Sequence, residues 1–293
     1  PNSKVLIGGP FTAIQQLTGG HLPRHGLARL NVNGSLDGSF ADPQVTGGSG
    51  LYDSVMALAL LPNGNIVIGG GFDSVGGQSR KGLAILNPDG SVLDKSLDLQ
   101  LDGMVTSLAL QADGKILVSG DFTTIGGHAY KGIARLNPSG SLDTSFVDPN
   151  ADGAVYAITL QPDGKLLAGG GFTVIGGQPR SRVARLSLAE AATQSLEVVD
   201  KTVTWRRGGT APELSSPPTL SLYLDTYLLA YGSMSRINGT WQYTLSQPIR
   251  TGHLLDLTVF GHTAGGAHNA SHGEAELLHR IWRNDTLFAN GFE

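Results

Sequence analysis

The sequence is built on a period of 50 residues. Three segments, "LLPNGNIVIGGGFDSVGGQSRKGLAIL", "LQADGKILVSGDFTTIGGHAYKGIARL" and "LQPDGKLLAGGGFTVIGGQPRSRVARL", begin at Leu60, Leu110 and Leu160 and are copies of one pattern. A repeat of this length constrains the fold more than any single motif does, because one copy alone cannot bury its apolar face. The copies must therefore pack against one another.

Each copy has the pattern of antiparallel β-strands. The apolar runs "VTSLALQ" and "KILVSGDF" flank an Asp-Gly turn that favours a hairpin, and "KGIARLN" and "SLDTSF" predict a third strand and a short fourth strand. The first two runs are almost continuously apolar, as in strands that are covered on both faces. Four-stranded units that recur roughly every 40 to 50 residues are typical of β-propeller blades, and a solenoid, whose repeats are usually shorter, is the alternative.

The copies predict an all-β fold with about four β-propeller-type, four-stranded blades in residues 1–189, near 4–40, 56–97, 105–146 and 155–189. Matched phenylalanines, Phe72, Phe122 and Phe172, are predicted to be structural core residues. The first copy begins at Lys4 with the second strand, "KVLIGGPF", so its first strand is missing and its edge is predicted to be unpaired. A strand from the C-terminal region or from another chain could complete this blade.

The repeated "DGK", "GGxFxxxGG", "ARLN" and "SLDxSF" elements resemble the delta-60 repeat, a β-propeller repeat of mostly secreted bacterial proteins. The resemblance implies a propeller without an assigned reaction and an extracellular or cell-surface location. The chain begins at Pro1 without a signal segment, and we expect it to be a processed or truncated product of a longer chain.

The region after the repeats carries "VTWRRGGTAPEL", "LSLYLD" and "RINGTWQYTL". These stretches resemble the β-domain that commonly follows such repeats, which implies a small β-sandwich-like domain in residues 195–266. The alternative is a degenerate blade that starts with "SLEVVDKTVTWRRGG". Residues 267–293 are predicted to be a tail with a short helix, because Leu277, Leu278, Ile281 and Trp282 have helical spacing.

Composition narrows the classes of partner. The net charge is -4, only 15% of residues are charged, and Lys and Arg are not clustered, so no nucleic-acid partner is expected. No run of about 18 apolar residues predicts a membrane span. The chain has no cysteine, which excludes disulfides and thiolate catalysis.

Several residues are candidates for a site, and each also has a plain structural explanation. Arg29 with Asp37, and Arg135 with Asp143, are predicted to form structural ion pairs within blades.

His262, His268 and His272 are weak metal candidates, but the loop-like sequence around them favours solvated histidines, so we expect no metal and no cofactor. Trp205, Trp241 and Tyr243 are weak candidates for stacking on a carbohydrate, with core packing as the alternative.

These patterns predict a non-catalytic, extracellular structural or interaction scaffold. Its expected partners are other protein chains, copies of itself included, in an assembly formed by strand sharing, with Lys4 at the bare edge and the apolar tail residues Leu287, Phe288 and Phe292 as assembly residues. The alternative is a polysaccharide-binding protein or a hydrolase that uses carboxylates in the propeller channel, although the sequence marks no such pair.

Overall fold

The computed structural model describes residues 4–15, 19–47, 54–93, 99–225, 227–249, 254–263 and 275–283, the last of these in its backbone only. Within these residues every regular element is a β-strand. None of them forms a helix long and apolar enough to cross a membrane.

The strands of the four blades recur in the order that the repeat predicts. Blade 1 contains β1 (Val5–Gly8), β2 (Ala13–Gln15), β3 (His21–Pro23) and β4 (Leu27–Leu30). Blade 2 contains β5 (Val55–Leu60), β6 (Ile66–Gly70), β7 (Ser74–Val75), β8 (Gln78–Ser79) and β9 (Leu83–Leu86). Blade 3 contains β10 (Met104–Leu110), β11 (Ile116–Asp121), β12 (Thr124–Ile125), β13 (His128–Ala129) and β14 (Ile133–Leu136). Blade 4 contains β15 (Val155–Leu160), β16 (Leu166–Gly170), β17 (Val174–Ile175), β18 (Gln178–Pro179) and β19 (Val183–Leu186).

Each complete blade is a three-stranded antiparallel sheet, with the orders β5-β6-β9, β10-β11-β14 and β15-β16-β19. The predicted fourth strand is reduced to a single bridge, such as Leu136 with Leu142. The chain turns away there because Asp143 Oδ1 accepts hydrogen bonds from the Ser145 backbone N–H and hydroxyl, and this local turn competes with a longer ladder.

The Gly-Gly pair in each complete repeat forms the turn of a small additional hairpin. In blade 3, Thr124 and Ile125 pair with Ala129 and His128, and the turn residues between them are Gly126 and Gly127. Their φ angles are 58° and 76°. Positive φ at both central residues is the requirement of a type I′ hairpin turn, which glycine meets without steric cost.

Neighbouring blades stack through close contact between the second strand of one blade and the first strand of the next. A Cβ atom added at Gly8 would lie 2.8 Å from Val55 Cγ1, and one at Gly69 would lie 2.5 Å from Val105 Cγ1. Blades 3 and 4 also share a polar contact, because the Thr106 hydroxyl donates to the Tyr156 carbonyl at 2.9 Å.

The strands bury both faces, as their continuous apolar runs predict. On β6, Ile66 and Ile68 belong to a core cluster with Leu27 of blade 1. Val67, which lies between them, belongs to a different cluster that extends through blades 3 and 4. The fold class predicted from the sequence, an all-β chain with β-propeller-type blades, is thus confirmed.

Residues 192–283 form a second all-β unit. Its strands are β20 (Ala192–Val199), β21 (Thr202–Gly209), β22 (Thr219–Leu224), β23 (Tyr227–Ser233), β24 (Ser235–Ile237), β25 (Thr240–Thr244), β26 (Leu254–His262) and β27 (Ala275–Arg283). They make two four-stranded antiparallel sheets, β20-β21-β25-β24 and β23-β22-β26-β27. Trp205 and Val203 of the first sheet share one buried cluster with Leu222 and Leu257 of the second, so the unit is a sandwich rather than a blade.

The helix predicted in the tail is wrong for the part that the structure describes. Ala275–Arg283 form strand β27, which pairs with β26 from Leu254 opposite Arg283 to His262 opposite Ala275. All nine residues of β27 lie in a ladder with β26, in which backbone N–H and C=O groups find hydrogen-bond partners. This tertiary pairing outweighs the helical spacing of the apolar residues.

The sandwich is joined to the repeats by backbone hydrogen bonds. The Ala112 N–H donates to the Ala211 carbonyl at 2.7 Å, and the Glu213 N–H donates to the Leu110 carbonyl at 2.9 Å. The segment after β21 therefore runs as a short extension beside the end of β10.

We predict that side chains of β1 can be shortened at little cost in stability, because the first strand that would cover them is missing. Val5 is 53% exposed, whereas Val67 on the second strand of blade 2 is fully buried. Val67→Ala should lower the free energy of unfolding by about 2 kcal/mol, because it removes two buried methyl groups. Val5→Ala should lower it by less than about 0.5 kcal/mol, as for an exposed site. Urea unfolding of dilute, monomeric protein measures both, and equal losses would contradict the open edge.

Candidate functional site

The candidate site is the inner edge of β1, where blade 1 lacks a first strand. Among the described residues β1 pairs only with β4, while the second strands of the other blades lie between two neighbours. Val5 occupies the repeat position of Ile66, Ile116 and Leu166, which are at most 1% exposed, yet Val5 is 53% exposed. The edge therefore presents unpaired backbone groups beside an uncovered apolar side chain.

An ion cluster fixes the ends of this edge strand. Asp37 Oδ2 lies 2.7 Å from Lys4 Nζ and 2.6 Å from Arg29 Nε, so one carboxylate binds the residue before β1 and a residue of β4. Hydrogen bonds from Lys4, then Ser39 and Arg29, hold the pKa of Asp37 well below its usual range, against the effect of burial. Lys4, which the sequence suggested as an assembly residue, is thus held in an ion pair.

The same pair recurs in blade 3 within a larger cluster. Arg135 Nε lies 2.8 Å from Asp143 Oδ2, and Lys115 Nζ lies 3.0 Å from the same oxygen. Arg135 also binds Glu190 through both Nη atoms, with 2.8 Å between Nη2 and Glu190 Oε1. Glu190 belongs to the linker between β19 and β20, so this cluster ties the C-terminal unit to blade 3.

The two carboxyl groups of this cluster are held ionised. Burial alone would raise the pKa of Asp143, but hydrogen bonds from Ser145 and Lys115 and the charge of Arg135 outweigh it, and the pKa lies well below its usual range. The hydrogen bond from Arg135 is the main cause that lowers the pKa of Glu190. Blade 4 has no matching aspartate, and there Arg185 binds Asp163 at 2.7 Å instead.

A cavity of about 610 Å³ lies where the inner strands end. Its walls come from the last residues of β5, β10 and β15, from the segment that joins β21 to β22, and from β24 and β25; they are Leu58–Pro62, Leu108–Leu110, Thr159, Leu160, Pro212–Pro217, Met234–Arg236 and Trp241. The first strands of the three complete blades thus share one apolar space with the sandwich.

The cavity does not hold a pair of catalytic carboxylates among the described residues. Glu213 is the acidic residue in its lining, and Glu213 Oε1 is bound to Arg236 Nη1 at 2.9 Å. Glycoside hydrolysis uses two carboxyl groups that flank the scissile bond. The geometry therefore gives no support to the hydrolase that the sequence left as an alternative.

The metal candidates are not gathered into a centre within the described part of the chain, where no group of three or more His, Asp or Glu side chains could hold an ion. The ring of His262 packs edge-on against Phe260, with 4.9 Å between ring centroids. His268 and His272 lie outside the described residues, as do the predicted assembly residues Leu287, Phe288 and Phe292.

The aromatic candidates have different environments. Trp205 is fully buried in the sandwich core and has no face open to a sugar. Trp241 is nearly buried and lines the cavity, while the Tyr243 hydroxyl donates to the Tyr231 carbonyl at 3.4 Å. Sequence reasoning missed the exposed tyrosines of the edge strand β23, Tyr227 at 79% and Tyr231 at 67% exposure, because "YLLAY" has no polar and apolar alternation that would mark an exposed face.

Matched phenylalanines anchor the blades. Phe72, Phe122 and Phe172 are each buried directly after the second strand of their blade. Phe72 belongs to the cluster of blades 1 and 2, and the other two belong to the cluster that extends through blades 2 to 4.

We predict that Asp143 makes stability depend on acid pH. Its pKa is lowered in the folded chain, so its contribution is present above the unfolded value of about 3.9 and is lost as pH falls below it. At neutral pH Asp143→Asn should cost about 3 kcal/mol, because Arg135 loses a buried partner. The difference from the unsubstituted chain should shrink between about pH 4 and 2 in urea unfolding.

The control for this prediction is Asp163→Asn in blade 4, which alters an exposed ion pair with Arg185. It should cost much less than Asp143→Asn, and the cost should fall as salt is added. If Asp143→Asn cost the same at pH 2 as at pH 7, the carboxylate would not be the source of the effect.

Comparison with known families supports the blade assignment. A family described as a domain of unknown function (DUF5122) beta-propeller matches residues 1–40, 61–92, 111–146 and 161–188. No curated protein matches the chain. Each matched segment overlaps one blade of the structure, and the similarity supports a β-propeller repeat in this part of the chain.

Proposed function

We propose that the chain is a non-catalytic, extracellular interaction scaffold of the delta-60 type, and that its first blade accepts a strand from another chain. A second copy of the same chain is the simplest donor. The observation that carries this proposal is the exposure of Val5 at a position that is buried in the three other blades. The extracellular location is supported by the resemblance of the repeats to delta-60 sequences.

The edge is preformed for strand addition. Lys4 and Arg29 both bind Asp37, so β1 and β4 are held together without an inner neighbour. The incoming strand would form a backbone ladder with β1, and main-chain hydrogen bonds would supply much of the affinity.

The other blades show which side chains such a strand needs. In β10, the apolar residues Val105, Leu108 and Leu110 are all nearly buried. The inner strands of the complete blades contain no charged residue within Val55–Leu60, Met104–Leu110 and Val155–Leu160. A donor strand should therefore be extended, apolar and uncharged.

A peptide can test the open edge directly. A labelled peptide with the sequence of residues 104–111, "MVTSLALQ", should bind to the purified chain in fluorescence anisotropy, and a scrambled peptide should not. Val5→Asp should weaken binding by about tenfold or more, because it places a charge within an apolar ladder.

The matched control is Val32→Asp, at a valine of the same blade that is 75% exposed and lies outside β1. It should leave peptide binding unchanged. In parallel, light scattering and electron microscopy should show association that rises with protein concentration and is reduced by the peptide. Peptide binding that does not respond to Val5→Asp, together with a monomer at every concentration, would overturn the proposal.

Binding to a polysaccharide is a second candidate, which the exposed tyrosines of β23 favour. Tyr227 is 79% exposed and Tyr231 is 67% exposed on the edge strand β23, and a bulge in the β22–β23 ladder lies between them. Flat aromatic rings with a polar hydroxyl suit a ligand that has both apolar and polar surface. The buried Trp205 cannot serve this purpose.

This alternative predicts that the chain co-sediments with an insoluble polysaccharide, for which cellulose, chitin and starch granules are suitable probes. The double variant Tyr227→Ala with Tyr231→Ala should release most of the bound protein, because both stacking faces are lost. Tyr156→Ala, at a half-exposed tyrosine of β15, is the control. Equal retention of the unsubstituted chain, the double variant and the control would exclude Tyr227 and Tyr231 as binding residues.

A further inference from the structure

We propose that the cavity at the ends of the inner strands binds a small amphiphilic acid, a molecule with an alkyl or similar apolar body and one carboxylate. This ligand site is separate from the strand-sharing edge and goes beyond the scaffold function. No residue of β1 lines the cavity.

The walls favour an apolar body. Leucines at the ends of three inner strands, among them Leu58, Leu108 and Leu160, face Met234 and Trp241 of the sandwich across the cavity. A volume of about 610 Å³ is within the range of small-molecule sites. Leu60 also lines this space and is 62% exposed, so an apolar ligand would remove leucine surface from water.

Arg236 supplies the polar end of the cavity. Its Nη1 binds Glu213 Oε1 at 2.9 Å, and its Cζ lies 5.5 Å from the centroid of the Trp241 ring. The guanidinium is therefore held in place by an ion pair on one side and by an aromatic face. The ion pair with Glu213 is made by Nη1, and the Nε–Nη2 edge of a guanidinium matches a carboxylate through two parallel hydrogen bonds.

The polar atoms that are accessible in the cavity indicate the charge of the head group that it would bind. Glu213 Oε2 is buried and has no partner, so a cationic head group could not contact it without displacing the protein. Arg236, by contrast, keeps about a quarter of its side chain exposed. The accessible donors belong to a cation, and the site therefore favours an anionic head over a cationic one.

Contacts with the repeats and with the sandwich hold Glu213 and Arg236, the polar end of the cavity, in place. The Glu213 N–H donates to the Leu110 carbonyl, and the Leu214 N–H donates to Glu213 Oε1 at 2.8 Å. Because Glu213 is anchored on β10 and binds Arg236 of β24, the guanidinium is preorganised before any ligand enters, which reduces the entropy that binding would cost.

Three probes with one alkyl chain test the inference: dodecanoate, dodecanol and dodecylamine, each below its micelle concentration, in isothermal titration calorimetry. Dodecanoate should bind with one molecule per chain and roughly tenfold more tightly than dodecanol. Dodecylamine should bind most weakly. Equal affinities for dodecanoate and dodecylamine, or uptake of many molecules per chain, would overturn the proposal.

Variants separate the head-group contact from the apolar walls. Arg236→Gln together with Glu213→Gln removes both charges, so neither is left buried and unpaired, and it should abolish the preference for dodecanoate while leaving dodecanol binding unchanged. Arg236→Lys, which keeps the charge but loses the planar edge, should retain part of the preference. A double variant that still prefers dodecanoate would rule out Arg236 as the contact.

Leu60→Trp should fill part of the cavity and weaken the binding of all three probes. Leu93→Trp, at an exposed leucine of the same blade outside the cavity, should leave their binding unchanged. Thermal unfolding of each variant checks that it is folded. Unchanged binding in Leu60→Trp would place the probes elsewhere. None of these substitutions touches β1, so failure here would leave peptide binding at the open edge intact.

Discussion

The close contact between the second strand of one blade and the first strand of the next is the constraint on which the repeat region depends. Glycine at Gly8 and Gly69 lets Val55 and Val105 approach to distances at which a Cβ atom would overlap. Each inner strand thus belongs to two blades at once: it pairs within its own blade and packs on the one before it. Loss of a first strand therefore removes both a hydrogen-bond ladder and an apolar cover, and blade 1 shows this in the exposure of Val5.

Ion clusters stabilise blades 1 and 3 on the side away from the first strand. The cluster at Asp37 joins the start of β1 to β4, and the one at Asp143 joins β14 to the start of β11. Both hold the second and third strands together without help from the first strand. Blade 1 can therefore keep its shape while its inner edge is open, which a blade that relied on the ladder alone could not do. In blade 3 the cluster includes Glu190, which extends this stabilisation to the linker.

Local patterns predicted the parts of the structure that local chemistry determines. The blade period, the incomplete first copy and the apolar strands followed from the repeat, and the Asp-Gly and Gly-Gly turns follow from φ requirements at those positions. The helix in the tail was wrong because β26 offered a full partner strand, which spacing within the tail cannot reveal. The Arg135–Glu190 and Glu213–Arg236 contacts could not be predicted either, since each joins residues that only the tertiary fold brings together.

The open edge and the cavity are separate sites, but the repeat relates them physically. Leu58, Leu108 and Leu160 reach the cavity because they stand at the ends of first strands. A strand that completed blade 1 would be the first strand of that blade. Its end would lie beside Leu58 of β5, in the same way that the end of β5 lies beside β10. If that strand also contacted a ligand in the cavity, the strand and the ligand would strengthen each other's binding by the same factor, by thermodynamic linkage.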